Sequence, residues 1–274
     1  MNASRNSSER RPQPARRLAF TLVELLVVIS ILGLLAALTV PALKNLGKSN
    51  IAVSAARQML DDVGRARQIA ISQRTTVYMV FMPTNFWAAM LTNGVNTPQY
   101  PQIVNLSESQ LSGYNFISQG AVGDQPGNHP WRYLSTWQSL PANSFIAGWK
   151  FYAPRGIYTG INGGAYSVNS FSRGGIPFPT STNALVSLPF IAFNYLGQLT
   201  TNGVDASFQD EYIPLAQGTV AYGYNGATKS PTMTQLSAGD VVETPPGNST
   251  NSMFTLVHID ALTGRARLEF QKVQ

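Results

Sequence analysis

The feature that most constrains the fold of this 274-residue chain is an apolar stretch near its N-terminus. Between Thr21 and Leu43 the stretch carries one charge, that of Glu24. Residues 25–43 form about 28 Å of helix, close to a hydrocarbon core of about 30 Å. A carboxylate in such a segment costs free energy, so a membrane helix that keeps one usually uses it. The sequence predicts a transmembrane helix over residues 20–43.

The residues before this helix set its orientation. Residues 1–19 contain five arginines and one glutamate, which places +4 of the chain's net charge of +6 in this segment. A basic flank stays in the cytoplasm. We therefore expect a single-pass protein whose C-terminal part is exported. The remaining +2 gives no nucleic-acid signature.

Two other kinds of N-terminal segment compete with this interpretation. A cleaved signal peptide has an apolar region of only about 7–15 residues, although Ala37-Leu38-Thr39 is an acceptable cleavage site. A generic uncleaved anchor leaves Glu24 without a role. A lipoprotein anchor is excluded because the chain has no cysteine.

The sequence from Ala19 to Leu26, Ala-Phe-Thr-Leu-Val-Glu-Leu-Leu, resembles the cleavage and methylation motif of type IV pilins and type II secretion pseudopilins. In that family a prepilin peptidase cuts before the phenylalanine and N-methylates the new terminus. The resemblance implies a basic leader over residues 1–19 and a cut between Ala19 and Phe20. Pro41 matches the family's proline one membrane length later. The family normally has glycine before the cut, so Ala19 predicts slower processing.

The same resemblance implies that Glu24 and Phe20 act in assembly. In a filament, the Glu24 carboxylate of one subunit lies against the terminal amine of Phe20 on a neighbour, and the ion pair replaces two isolated charges. Gly33 and Ala37 form a small-residue face that would allow a neighbouring helix to approach, unless their spacing is coincidental. Pro41 predicts a kink.

Beyond the membrane segment, apolar residues recur at spacings of three or four and predict an amphipathic continuation of the helix over residues 44–74. The stripe consists of Leu43, Leu46, Val53, Ala56, Met59, Leu60, Val63 and Ala70. Arg57, Asp61 and Arg65 fall on another, solvated face.

From residue 75 onward the pattern favours strands. Thr76–Met82 and Phe86–Leu91 flank Pro83-Thr84-Asn85 and predict a hairpin. Further expected strands are Gly113–Ser118, Phe145–Tyr152, Val186–Asn194, Gly218–Tyr224, Phe254–Asp260 and Arg265–Phe270, the last two joined by a turn over 261–264. The expected fold class is α+β: a long N-terminal helix, membrane-spanning in its first half, packed against an antiparallel β-sheet domain over residues 75–274.

Three segments are similar to the H-type (GspH/FimT) minor pseudopilins: residues 66–72 at the helix end, 193–200, and 264–268 near the C-terminus. Residues 94–185, rich in Gly, Ser, Asn, Pro and aromatics, look like an insertion into the shorter family domain.

The exported part offers little for catalysis. It has no cysteine, its two histidines (His129 and His258) are far apart, and charged residues make up 12% of the chain. Neither a nucleophile elbow nor a phosphate-binding glycine loop is present. We expect no enzyme, no catalytic residue and no bound metal.

Three binding hypotheses remain beside simpler alternatives. Oxygen ligands at Asn202, Asp205, Asp210 and Glu211 suit calcium, but a solvated polar loop is favoured over a cofactor site. Arg265 and Arg267 lie on one strand face and resemble the basic C-terminal motif of DNA-capturing minor pilins; Glu269 on that face weakens the patch, so nucleic acid is not an expected partner. The aromatic residues Trp131, Tyr133, Trp137 and Trp149 suggest a sugar-binding surface, although aromatics in β-rich regions mostly form core.

Together these features predict a minor pseudopilin of a type II secretion pseudopilus in the bacterial inner membrane. Its expected partners are the prepilin peptidase/N-methyltransferase, other pilin or pseudopilin subunits and the inner-membrane secretion platform. Two alternatives stay open: a minor pilin of a type IV pilus, and an anchored binding module that never polymerises.

Overall fold

The computed structural model describes residues 21–88, 90, 100–125, 127, 129–152, 157–159, 165–203, 205–223, 236–250 and 254–269. Side chains are not described at 38–50, 100–101, 157–159 and 165–166. The chain divides into two compact units, residues 1–47 and 48–274.

The described part of the chain begins with one long helix, and most of the elements after it are short strands. In chain order they are α1 (Leu22–Gln73), β1 (Thr76–Phe81), α2 (Tyr100–Ser107), β2 (Gly113–Gln119), β3 (Trp131–Tyr133), β4 (Gln138–Ser139), β5 (Ser144–Ile146), a 3₁₀ helix (Gly148–Phe151), β6 (Ile157–Thr159), β7 (Ala165–Ser167), β8 (Ser172–Pro177), β9 (Leu185–Phe193), β10 (Leu199–Thr200), β11 (Glu211–Ala221), β12 (Asp240–Glu243), β13 (Thr255–Ile259) and β14 (Ala266–Glu269).

The strands form antiparallel sheets. The seven-stranded sheet has the order β10-β9-β1-β2-β3, with β4 paired to β2 and β8 to β9. A five-stranded sheet has the order β12-β11-β13-β14, with β5 paired to β11, and β6 pairs with β7 alone. Helix and antiparallel sheets together confirm the predicted α+β class for the described residues.

The C-terminal part of α1 packs on the sheets. Its residues at spacings of three and four are at most 1% exposed and share one core cluster with Met79 of β1 and Leu256 of β13. These helix residues are Ala55, Ala56, Met59, Val63, Ala66 and Ala70. The prediction that the sheet packs on the second half of the helix is therefore confirmed.

The prediction is wrong for one residue of the apolar stripe, which does not lie on the buried face of α1. Val53 is 45% exposed, because the buried face passes through Ala55 and Ala56 instead. Leu60 packs partly buried against the cluster. The side chains of Leu43 and Leu46 lie outside the described residues.

The opposite face of the seven-stranded sheet carries a second core. Along β1, Met79 and Phe81 belong to the cluster under α1, whereas Tyr78 and Val80 belong to the second cluster with Ile103 of α2. Alternate residues of a strand point to opposite faces, so β1 is buried on both sides. This burial explains why its sequence is almost uniformly apolar.

The predicted hairpin around Pro83-Thr84-Asn85 is wrong. The partners of β1 are β2 and β9, and a turn over residues 84–87 follows β1. The side chains of Phe86 and Trp87 are buried in the second core, which ends the strand pattern there. The backbone amide of Asn85 donates to Gln110 Oε1 at 3.1 Å.

Two other strand predictions need correction. The segment Phe145–Tyr152 is strand only to Ile146, after which the 3₁₀ helix turns Lys150 into the interior. The strand expected from Gly218 begins at Glu211 and ends at Ala221. The strands expected at 113–118, 186–194, 254–260 and 265–270 are confirmed with shifts of one residue at most over their described ends.

The stretch 94–185 contributes to the seven-stranded sheet. Strand β2, which lies within it, pairs with β1 over six residues from Thr76↔Gln119 to Phe81↔Tyr114. Whether this stretch is an insertion, and where the domain boundaries fall, stay predictions.

Candidate functional site

The N-terminus of α1 is capped by reciprocal hydrogen bonds between Thr21 and Glu24. The Glu24 amide donates to Thr21 Oγ1 at 3.2 Å, and the Thr21 amide and hydroxyl each donate to Glu24 Oε2 at 3.3 Å. This arrangement is a capping box, in which two otherwise unpaired helix N–H groups find acceptors. A negative charge is also favoured by the helix dipole at this end.

Glu24 therefore has a local role before any neighbouring subunit is considered. Its side chain is exposed and available for a further contact. Ala19 and Phe20 lie outside the described residues, so the cut site and the ion pair between Glu24 and Phe20 stay predictions. Pro41 lies within α1, and its side chain is not described.

The first unit presents an apolar helix surface. The large apolar side chains from Leu22 to Leu35 are exposed by between 44% and 81%. A Cβ added at Gly33 would meet no described atom within 4 Å, so that face is open. A contiguous apolar surface of this kind marks contact with a protein or a membrane.

In the part of the chain that the structure describes, no helix is both long and apolar enough to cross a membrane.

The three segments that resemble H-type pseudopilins meet at one place, which we call the three-segment junction: Arg67, Ile71, Gly197, Thr263 and Gly264. Arg67 Nε donates to the Thr263 carbonyl at 2.6 Å. A Cβ on Gly197 would lie 2.6 Å from Ile71 Cδ1, and one on Gly264 would lie 2.0 Å from the Gly197 oxygen. Both glycines have positive φ. Segments far apart in sequence thus fix the end of α1 against two turns.

The C-terminal arginines are not equivalent. Both are exposed, but Arg267 also donates through Nε to His258 Nδ1 at 3.1 Å and through Nη2 to Glu269 Oε1 at 3.4 Å. Glu269 therefore offsets the charge of Arg267, as the strand alternation predicts. The pair does not form a bare basic patch for phosphates.

His258 belongs to the same group of side chains. Its Nε2 lies 2.7 Å from Asp210 Oδ2, and its ring stacks on Tyr212 with 4.4 Å between centroids. Burial, together with the charges of Glu269 and Asp210, raises the pKa of Tyr212 to about 12. These contacts tie β11, β13 and β14 together.

The four residues suggested for calcium are engaged in different contacts. Asp210 binds His258 and accepts from the Ala261 amide at 2.8 Å, whereas Glu211 pairs with Lys150. Asn202 and Asp205 hydrogen-bond each other at 2.9 Å. Among the described residues no three His, Asp or Glu side chains are grouped as metal ligands. Calcium binding at these residues stays an untested hypothesis.

The four aromatics also separate. Trp131 packs on Tyr78 at 5.3 Å between centroids, and Trp149 packs on Phe254 while its Nε1 donates to the Ser249 carbonyl at 2.8 Å. Only Tyr133 and Trp137 of the four line a pocket beside α2.

Sequence reasoning missed a buried ion pair. Lys150 is 0% exposed, pairs with Glu211, donates to the Asn169 carbonyl and lies 4.6 Å above the Phe171 ring. Burial lowers the pKa of Lys150, and the Glu211 carboxylate opposes that shift. The one available signal was a lone lysine between Trp149 and Phe151.

One of the three comparisons with known proteins gives a match, and it lies at the N-terminus. The prokaryotic N-terminal methylation motif matches residues 14–40, which include the expected cut site and the Thr21–Glu24 cap. No curated protein and no solved structure shows significant similarity to the chain. The N-terminal segment of this protein therefore carries the processing motif of type IV pilin-like structural subunits, which prepilin peptidase cuts before they assemble.

Proposed function

We propose that the protein is an H-type minor pseudopilin of a type II secretion system. In this proposal it enters the bacterial inner membrane with its N-terminus in the cytoplasm, is cut after Ala19, is methylated on Phe20 and joins other pseudopilins on the inner-membrane secretion platform. The observation that carries the proposal is the match of residues 14–40 to the methylation motif.

The helix surface supports a role in packing rather than catalysis. Exposed apolar side chains between Leu22 and Leu35 suit either lipid or the helices of neighbouring subunits. In a filament such helices form the core, and the β-rich unit of residues 48–274 faces outward. When a subunit moves from the lipid into this core, its apolar helix surface stays shielded from water throughout.

In this mechanism Glu24 determines the register between neighbouring subunits. Its carboxylate satisfies the start of its own helix through Thr21 and is still exposed for a neighbour's positive terminus. A neighbour placed in the wrong register would leave both charges unpaired in apolar surroundings, which is unfavourable.

The three-segment junction supports the choice of the H-type subgroup. The resemblance rests on three short segments, and they approach one another closely at Arg67, Gly197 and Gly264. Because the three segments form one local structure, their joint occurrence is a more specific sign of the H-type subgroup than any one segment alone.

Deletion of the gene in its native host tests the proposal. We expect loss of type II secretion cargo from the medium, unchanged surface pili, and restoration by the full chain and by the Arg265→Ala/Arg267→Ala variant. Loss of pili with normal secretion would instead show a type IV pilus subunit. Normal secretion and pili, with an uncut protein in the membrane, would show an anchored binding module.

A further inference from the structure

His258 of β13 lies at the centre of a group of side-chain contacts that joins β11, β13 and β14. The residue is 5% exposed, and its ring stacks on Tyr212 of β11. Its Nε2 lies 2.7 Å from Asp210 Oδ2, and its Nδ1 lies 3.1 Å from Arg267 Nε. None of these residues belongs to the N-terminal motif, so their role is independent of the proposed function.

The partners of the two ring nitrogens assign the proton of His258. A guanidinium group donates and never accepts, so Nδ1 must accept the Arg267 Nε–H with its lone pair. The proton of the neutral ring then lies on Nε2 and is donated to Asp210. The structure therefore holds His258 in its neutral form, with no proton on Nδ1.

A carboxylate oxygen also lies beside Nδ1. Glu269 Oε1 is 3.4 Å from His258 Nδ1, and it accepts from Arg267 Nη2, also at 3.4 Å. Both distances exceed those of an optimal hydrogen bond. Glu269 is thus placed to accept a proton-bearing Nδ1, although the neutral ring offers it no donor there.

The charged groups around His258 carry more negative than positive charge. Tyr212 stays neutral, because its pKa is raised to about 12. The charged groups are Asp210 before β11, Asp260 at the end of β13, and Arg267 and Glu269 on β14. The Thr263 amide and hydroxyl, which both donate to Asp260, hold the pKa of that carboxyl below its usual value. A proton added to His258 therefore reduces the net charge of this group.

We propose that His258 is a pH-dependent switch that controls the position of Arg267. When Nδ1 takes up a proton from water, Nδ1–H and the Arg267 Nε–H become two donors that face each other, and neither can accept. Nδ1–H turns to Glu269, and the Arg267 guanidinium leaves the ring. The Arg267 side chain is 68% exposed, so it moves into solvent without opening the core.

The switch changes the charge that β14 presents to solvent. At neutral pH the Arg267 guanidinium is held by His258 and Glu269. In acid, a released Arg267 lies beside the exposed Arg265, and the imidazolium neutralises Glu269. The pH range follows from the side chain, because histidine changes its charge between about pH 5 and pH 8.

NMR spectroscopy of the ¹⁵N-labelled full chain in detergent micelles tests the switch, with EDTA present so that calcium cannot compete for Asp210. Long-range ¹⁵N–¹H spectra report the protons on both histidine nitrogens, and the Nε–H signal lost in Arg267→Lys reports Arg267. From about pH 8 to about pH 5, we expect this signal to shift with the midpoint of His258 and not with that of His129. A proton on Nδ1 at pH 8, no proton uptake by His258, or an Arg267 signal that ignores its titration would overturn the proposal.

His258→Gln is the decisive variant, because glutamine offers Arg267 an acceptor but does not titrate in this range. We expect the pH-dependent shift of the Arg267 Nε–H signal to disappear. His129→Gln removes the chain's other histidine, which is exposed, and is the matched control that keeps the parental shift. A shift that persists in His258→Gln would contradict the switch, and the titration of the parent chain decides the question if this variant does not fold.

Discussion

Glu24 lies at the start of an apolar helix and hydrogen-bonds Thr21, whereas Lys150 lies in the interior of the second unit and pairs with Glu211. In both cases a charged side chain in apolar surroundings is stabilised by a defined partner. Glu24 can take a second partner because it is exposed, and Lys150 cannot because it is fully buried. This difference is compatible with the proposed role of Glu24 in assembly, and it gives Lys150 a role in stability.

Glu24→Gln separates the cap of α1 from assembly. Glutamine can replace glutamate in a capping box, so we expect normal processing and a normal helix start. The charge is lost, and with it a charge-assisted contact that changes the assembly equilibrium by more than about tenfold. Filament recovery after shearing, with mass spectrometry of the subunit, measures both effects.

Glu24→Leu is the comparison, because it removes the cap and the charge together. If Glu24→Gln assembled as well as the parent while Glu24→Leu failed, the cap rather than an intersubunit ion pair would explain the carboxylate.

Glu211→Gln should destabilise the second unit strongly. The amide still accepts from the Tyr212 amide but leaves the Lys150 charge buried and unpaired, at a cost of about 3–5 kcal/mol at pH 7. Urea unfolding measures this loss. The double variant Lys150→Met/Glu211→Leu should recover most of the stability, since an apolar pair removes the buried charge.

The pH dependence of Glu211→Gln follows from the same pair. Without the carboxylate, the Lys150 pKa in the folded protein falls further below its usual value of 10.5. Between the folded and unfolded pKa values the unfolded chain binds more protons, so raising the pH favours the fold. The destabilisation should therefore shrink between pH 7 and pH 10. An equal loss at both pH values would show that Lys150 is not the cause.

At the scale of elements, the end of α1 is held by turns rather than by the helix alone. The turn between β13 and β14 places Gly264 at φ 61°, directly against the Gly197 carbonyl. Arg67 of α1 bonds the same turn through Thr263. The contact requires both positive φ and the absence of a side chain at Gly264.

Gly264→Ala tests that contact against a matched glycine. Gly123 also has positive φ, but a Cβ there would meet no described atom within 4 Å. Gly123→Ala should cost about 1–2 kcal/mol from backbone conformation alone. Gly264→Ala should cost more than about 3 kcal/mol or prevent folding, because the Cβ collides with backbone. Similar losses in thermal unfolding would show that the junction is not tightly packed.

Elements with local signals could be predicted from the sequence. The amphipathic spacing placed Met59, Val63 and Ala70 in the core, and the glycine turn before β14 placed the last hairpin. The hairpin after β1 could not be predicted correctly, because Phe86 and Trp87 are buried by tertiary packing and not by strand pairing. Periodicity does not distinguish these two causes of an apolar pattern.

At the scale of the whole molecule, the N-terminal motif could be recognised from the sequence because its residues are contiguous. The pocket beside α2 could not, since Asn115, Trp137 and Thr180 come from separate segments and only folding joins them. Of the four aromatics named for a sugar-binding surface, Tyr133 and Trp137 line this pocket, and sugar binding stays a hypothesis. The burial of Lys150 likewise depends on Glu211, which lies 61 residues further along the chain.

The mass of the N-terminal peptide, measured on protein from native membranes, decides whether this chain is a processed, pilin-like subunit. We expect a chain that begins with N-methylated Phe20, with a larger uncut fraction than in an Ala19→Gly variant. A chain that still begins at Met1, or one that begins near Val40, would contradict it.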